Sequence, residues 1–144
     1  MKKYFLFEPE TDINKHWEYL LSIIIDKADF VEFNILWHDW MMQKEFILLK
    51  KFKVEEFENR KKIFMSNKSV RYKVTPEVKE FVLSKKFTDW QHHFVEDPSF
   101  LRKGKEFIAC RSNKGRICLL LSEPERLFLI EQGLDIWFEL ESKY

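Results

Sequence analysis

Three short runs in this chain carry residue types able to do chemistry. Trp37-His38-Asp39-Trp40 sets an imidazole beside a carboxylate, the two ingredients of a general base and the group that orients it. His92-His93, followed by Glu96 and Asp97, offers side chains of the kinds that ligate zinc. Cys110 and Cys118 are the two thiols. Neither histidine run has the spacing its chemistry needs, and the cysteines show none that a metal or a catalytic nucleophile requires. Neighbouring residues on a strand point to opposite faces, so His38 diverges from Asp39 and His92 from His93. Paired histidines on a helix face one ion when they stand four apart, which these do not. The serines sit in no nucleophile elbow, and three glycines give no phosphate-cradling loop. The expectation is a protein that is not an enzyme and holds no metal or cofactor.

The elements that must position these residues read as α+β, a single antiparallel or mixed sheet with about four helices packed against it. Residues 3 to 8 are apolar on both alternations, as in a strand covered on two sides. Thr11 or Asp12 caps a helix whose stripe is Ile13, Trp17, Leu20, Leu21 and Ile24. Val31, Phe33, Ile35 and Trp37 alternate as a strand, and residues 45 to 53 alternate less cleanly. Val54, Phe57, Lys61 and Phe64 fall at helical spacing, so a helix is expected over 54 to 65. Val70, Tyr72 and Val74 form a half-buried strand. Thr75-Pro76 is an N-cap followed by proline at the first helical position.

Residues 87 to 94 suit either a strand or a continued helix, and Glu96-Asp97-Pro98-Ser99 reads as an acidic turn. Phe107 to Arg111 and Arg116 to Leu121 flank a turn ending in Gly115. A loop of Asn113-Lys114-Gly115 places Cys110 directly opposite Cys118, a facing pair that could act as a redox switch but is expected as two reduced, half-buried thiols. Ser122 and Glu125 form a capping box, Gly133 ends that helix, and Ile136, Phe138 and Leu140 alternate along a last strand.

Composition bounds the function. The 144 residues suit one domain, 1–144, with one hydrophobic core. A net charge of +1 lacks the basic excess of a dedicated nucleic-acid binder. Charge is unevenly placed, though. Residues 50 to 73 are basic and interleaved with Phe52, Phe57, Phe64 and Tyr72, which supports an alternative role as a nucleic-acid-associated accessory protein. Residues 119 to 144 are acidic and include Glu139 and Glu141. Tyr4-Phe5-Leu6-Phe7 is too short for a secretory core, and no run is long enough to span a membrane, so a cytoplasmic protein with reduced thiols is expected.

The run Val95-Glu96-Asp97-Pro98-Ser99-Phe100, then Lys103-Gly104-Lys105-Glu106-Phe107, the hairpin and the 122–135 unit resemble small bacterial proteins of unassigned or immunity function. In size and composition the chain is similar to immunity proteins of contact-dependent and other polymorphic toxin systems. That resemblance implies a single cytoplasmic domain, without catalytic residues, that neutralises a cognate toxin by tight binding. The near-neutral charge departs from the strongly acidic members that block nucleases. Trp37, His38, Asp39 and Trp40 are the candidate contacts, because large rings supply area at low entropy cost. Glu139 and Glu141 are candidates on the acidic face.

Overall fold

The structure, a computed structural model, describes residues 1–58, 62–64, 68–91 and 93–140. Among these residues eight strands form one antiparallel sheet: β1 (Lys3–Phe7), β2 (Phe30–Ile35), β3 (Lys53–Glu58), β4 (Lys68–Lys73), β5 (Val95–Arg102), β6 (Lys105–Arg111), β7 (Arg116–Leu121) and β8 (Phe138–Leu140). Their spatial order is β3-β4-β2-β5-β6-β7-β1-β8. The described residues also form four α-helices: α1 (Ile13–Ile24), α2 (Lys44–Leu49), α3 (Pro76–Leu83) and α4 (Glu123–Glu131).

The α1 stripe of Trp17, Leu20, Leu21 and Ile24 is buried on one face of the sheet, as its spacing requires. Phe5 and Phe7 of β1, Val31 and Phe33 of β2, and Val70 and Tyr72 of β4 meet it there in one apolar cluster. Phe33 is the hub. Its ring stacks on Trp90 at 5.2 Å and meets Phe46, Tyr72 and Phe81 edge-on. Thr75 caps α3 through its side-chain oxygen, which accepts from the Val78 amide. The Ser122–Glu125 capping box opens α4, and Gly133, at φ 95°, follows it in the left-handed region.

Several local expectations give way to tertiary packing. Residues 45 to 53, expected as a strand, form α2 and a 3-10 turn over Lys50–Phe52. A run such as Phe46-Ile47-Leu48-Leu49 has no alternation to decide its period, and burial of Phe46 and Leu49 one turn apart settles it. The helix expected over 54 to 65 is instead edge strand β3 as far as Glu58, with Phe57 opposite Ser69 of β4; residues 59–61 and Met65 lie outside the described residues. Asp12 stands before α1 in the left-handed region without a side-chain capping bond. Residues 87 to 90 are a 3-10 turn that buries Phe87 and Trp90, neither strand nor α-helix. The last strand shortens to Phe138–Leu140, with Ile136 buried ahead of it and Phe138 exposed.

Glu96-Asp97-Pro98-Ser99 is the largest departure. It lies within β5, not in a turn. Glu32 pairs with Ser99 while Asn34 pairs with Glu96, so Asp97 and Pro98 form a bulge and Asp97 adopts φ 53°. Proline, lacking an N–H, fits a sheet at such a bulge.

The cysteine register also shifts by one. Cys110 pairs with Ile117 and Ala109 with Cys118, so the two thiols occupy opposite faces. The cause is Ser112, fully buried and drawn out of the ladder by Asp97, which lengthens the loop to Ser112–Gly115. Burial pushes the Cys118 thiol up to about 12, with the Glu106 charge adding to it, and raises Cys110 as well. A thiol-reactive disulfide reagent at mildly alkaline pH should therefore label neither cysteine in the native protein and both after denaturation. Rapid native labelling, or a native disulfide, would contradict this arrangement.

Candidate interaction surface

The segment between β2 and β3 carries all four residues singled out at 37 to 40. Backbone bonds shape it: the Leu36 and Trp37 amides donate to the Phe94 carbonyl at 3.0 and 3.2 Å. The Trp40 amide donates to the Trp37 carbonyl, and the Met42 amide to that of Asp39. Trp40 turns inward, 2% exposed, with its ring edge-on to Phe46 at 5.4 Å. It therefore anchors the segment and cannot itself meet a partner. Trp37 is 53% exposed, and His38 and Asp39 are exposed beside it.

Around Trp37 the chain displays further apolar side chains that sequence reading passed over. Leu36, Met41, Met42, Ile47 and Leu48 are all exposed, Met42 and Leu48 by 73% and 68%. They alternate in the chain with the buried anchors Trp40, Phe46 and Leu49. The same segment thus holds itself down and shows an apolar surface outward. A sequence signal existed: six apolar residues over 41 to 49 are more than one short helix can bury.

The opposite face of the sheet holds a different cluster, one that no spacing announced. Glu32 is 1% exposed and accepts from Arg71 Nε at 2.7 Å, with Lys62 Nζ 3.7 Å away. Lys62 also donates to Asn34 Oδ1, as does Ser69 Oγ, each at 3.2 Å. Asn34 Nδ2 donates to Asp97 Oδ2 at 2.9 Å. Asp97 Oδ1 accepts from both the amide and the hydroxyl of Ser112 at 2.6 Å. Ser99 Oγ donates to Glu106, whose other oxygen accepts from the Ile63 amide at 3.0 Å. Each carboxylate is met by donors from neighbouring strands, from the β6–β7 turn or from residues 62–64. Chemically this holds the sheet together.

This network draws on the basic segment. Lys62 and Arg71 serve Glu32, and Lys53 and Lys68 pair with Glu56. Tyr72 is buried in the core, while Phe57 lies under Arg71 and Phe64 under Arg111. The aromatics of 50 to 73 are thus engaged within the fold.

The remaining candidates are dispersed. His92 lies outside the described residues. His93 sits among Phe46, Trp90 and Phe94, away from Asp97 on the other side of the sheet. Among the described residues no group of three or more His, Cys, Asp or Glu is placed to hold a metal ion. Glu139, exposed on β8, pairs with Lys3 at 3.4 Å, and Glu141 lies outside the described residues. No helix among the described residues is long and apolar enough to cross a membrane. Comparison of the chain with protein-family models, curated proteins and solved structures finds no significant match.

Two outcomes follow from the buried polar groups. Arg71→Met should lower stability in urea unfolding by roughly 3 kcal/mol, the lower end for breaking a buried pair, because Lys62 stays near Glu32. Adding Glu32→Gln should recover part of it; a neutral Arg71→Met would refute the role of the pair. For His93, burial and then the Lys85 charge hold the imidazole below its usual range. The unfolded chain therefore takes up this proton first. The stability due to neutral His93 is present above about pH 6.5 and is lost as pH falls through the lower folded value. His93→Phe should flatten the fall in melting temperature between about pH 7 and 5. An unchanged slope would assign that fall to other groups.

Proposed function

We propose that this protein is a protein-binding inhibitor, an immunity protein that neutralises a cognate bacterial toxin by covering its active site. The observation that carries the reading is the exposure of six apolar side chains within one short stretch of chain, Leu36, Trp37, Met41, Met42, Ile47 and Leu48. Soluble domains seldom leave such side chains clustered in water without a use for them. Tryptophan is the residue most often decisive at protein interfaces, and methionine adapts to irregular partner surfaces. The backbone bonds through Phe94 and the buried Trp40 hold this surface ready, so little ordering entropy is lost on contact. His38 and Asp39 form a polar edge beside the apolar centre, the usual division between rim and core.

On this reading the toxin acts in the cytoplasm and is encoded beside this protein. The test is co-expression with the adjacent gene product that is toxic alone. Wild-type protein should restore growth and form a one-to-one complex. Trp37→Asp combined with Leu48→Asp should weaken the complex by roughly thirtyfold or more while leaving the melting temperature unchanged. Full protection by that variant would move the contact elsewhere. Nucleic acid copurifying with the protein and released by salt would favour the accessory role instead.

A further inference from the structure

A second feature lies on the helix side of the sheet, between α1 and α4. The two helices stand apart there and leave a cleft of about 540 Å³ over β6 and β7. Small-molecule sites occupy roughly 300–1,000 Å³. Leu20 and Ile24 of α1 form one wall, Phe128 and Leu129 of α4 the other, and Ile108 and Leu119 lie on the floor. At one end of the sheet, Lys2, Lys27, Arg102, Lys103 and Lys105 also line it, against the single carboxylate of Glu125.

These charges are unevenly satisfied. Lys2 pairs with Glu125 at 3.3 Å. Lys105 Nζ lies 5.8 Å from the centre of the Tyr4 ring. Among the described residues, Lys27, Arg102, Lys103 and Lys105 make no ion pair. Asp29 accepts from the Lys103 amide at 2.8 Å, Asp26 beside Lys27 pairs with Lys79, and Glu106 beside Lys105 is buried and bonded to Ser99. Several cations gathered with so little counter-charge repel one another, and an anion among them relieves that repulsion. The rest of the lining is equally informative. Every described lining residue is apolar or charged, and none offers a hydroxyl, a carboxamide or an imidazole. A nucleotide or a sugar, each with many neutral polar groups, would leave them without side-chain partners.

We infer that this cleft binds a fatty acid, with its single hydrocarbon chain between α1 and α4 and its carboxylate among the cations at the sheet end. The division of the cleft matches that of the ligand: a featureless apolar trough closed at one end by positive charge. Burial of the chain supplies affinity, and the cations select a charged head over an uncharged one. This site is separate from the surface proposed to meet a toxin.

The test titrates the full-length protein with laurate below its aggregation concentration, beside dodecanol as the uncharged match. Saturable one-to-one laurate binding is expected, about tenfold or more tighter than dodecanol and weakened by salt. Lys27→Glu with Arg102→Glu should remove that preference while leaving dodecanol binding and the melting temperature in place. Ile23→Trp, from a half-exposed lining position, should obstruct the trough and weaken both ligands. Absence of saturable laurate binding would overturn the inference. Equal affinity for laurate and dodecanol would overturn the role of the cations. Sedimentation with phosphatidylglycerol vesicles in the absence of laurate binding would assign the charges to a membrane surface instead.

Discussion

The carboxylate of Asp97 holds three parts of the sheet to one another. One oxygen accepts from Asn34 of β2, and the other accepts twice from Ser112 at the β6–β7 turn. Asp97 itself lies on the β5 bulge, whose extra residue turns the side chain to reach both. A buried carboxylate without donors would be costly, so bulge, turn and Asn34 must form together. Ser112 in turn receives the Gln91 amide on its carbonyl and approaches the Trp90 carbonyl. Through Trp90 the polar side of the sheet is tied to the aromatic cluster around Phe33 on the other side. One side chain thus links the β2–β5 register, the hairpin register and the seat of a core tryptophan.

That dependence explains which parts were legible in the sequence. The α1 stripe, the Thr75 cap, the Ser122 capping box and Gly133 are local devices, each complete within a few residues. They stand where spacing put them. Asp97 was misread because a proline beside two acids signals a turn by local rules, and its partners lie 15 and 63 residues away. The cysteine register failed for the same reason, since Ser112 answers to Asp97 and not to its own hairpin. Residues 45 to 58 went wrong as a pair, helix for strand and strand for helix. Phe46 is fixed by Phe33 and Tyr72, and β3 by its pairing with β4, and neither influence can be seen from within the segment.

The interaction surface was half legible. Trp37, His38 and Asp39 do lie on the outside, whereas Trp40 serves the core. No periodicity separates two tryptophans three apart in a segment that is neither strand nor α-helix. Their difference is set by the turn at Trp40–Met42, which directs one ring under Phe46 and leaves the other in water. The buried network of Glu32, Lys62 and Arg71 was invisible for a related reason. Its members come from β2, from β4 and from residue 62, and on paper they resemble ordinary surface charge.

The place of β1 has a consequence for how the protein is made. Lys3–Phe7 sits between β7 and β8, so its partners are residues 117–121 and 138–140. During synthesis Tyr4-Phe5-Leu6-Phe7 is made long before residues 117–121 and 138–140, with which it pairs. Contacts of such long sequence separation close slowly, because the loop entropy is lost before any pairing compensates for it. Until those partners are made, an apolar strand stands unpaired, with edges open to pairing with other chains.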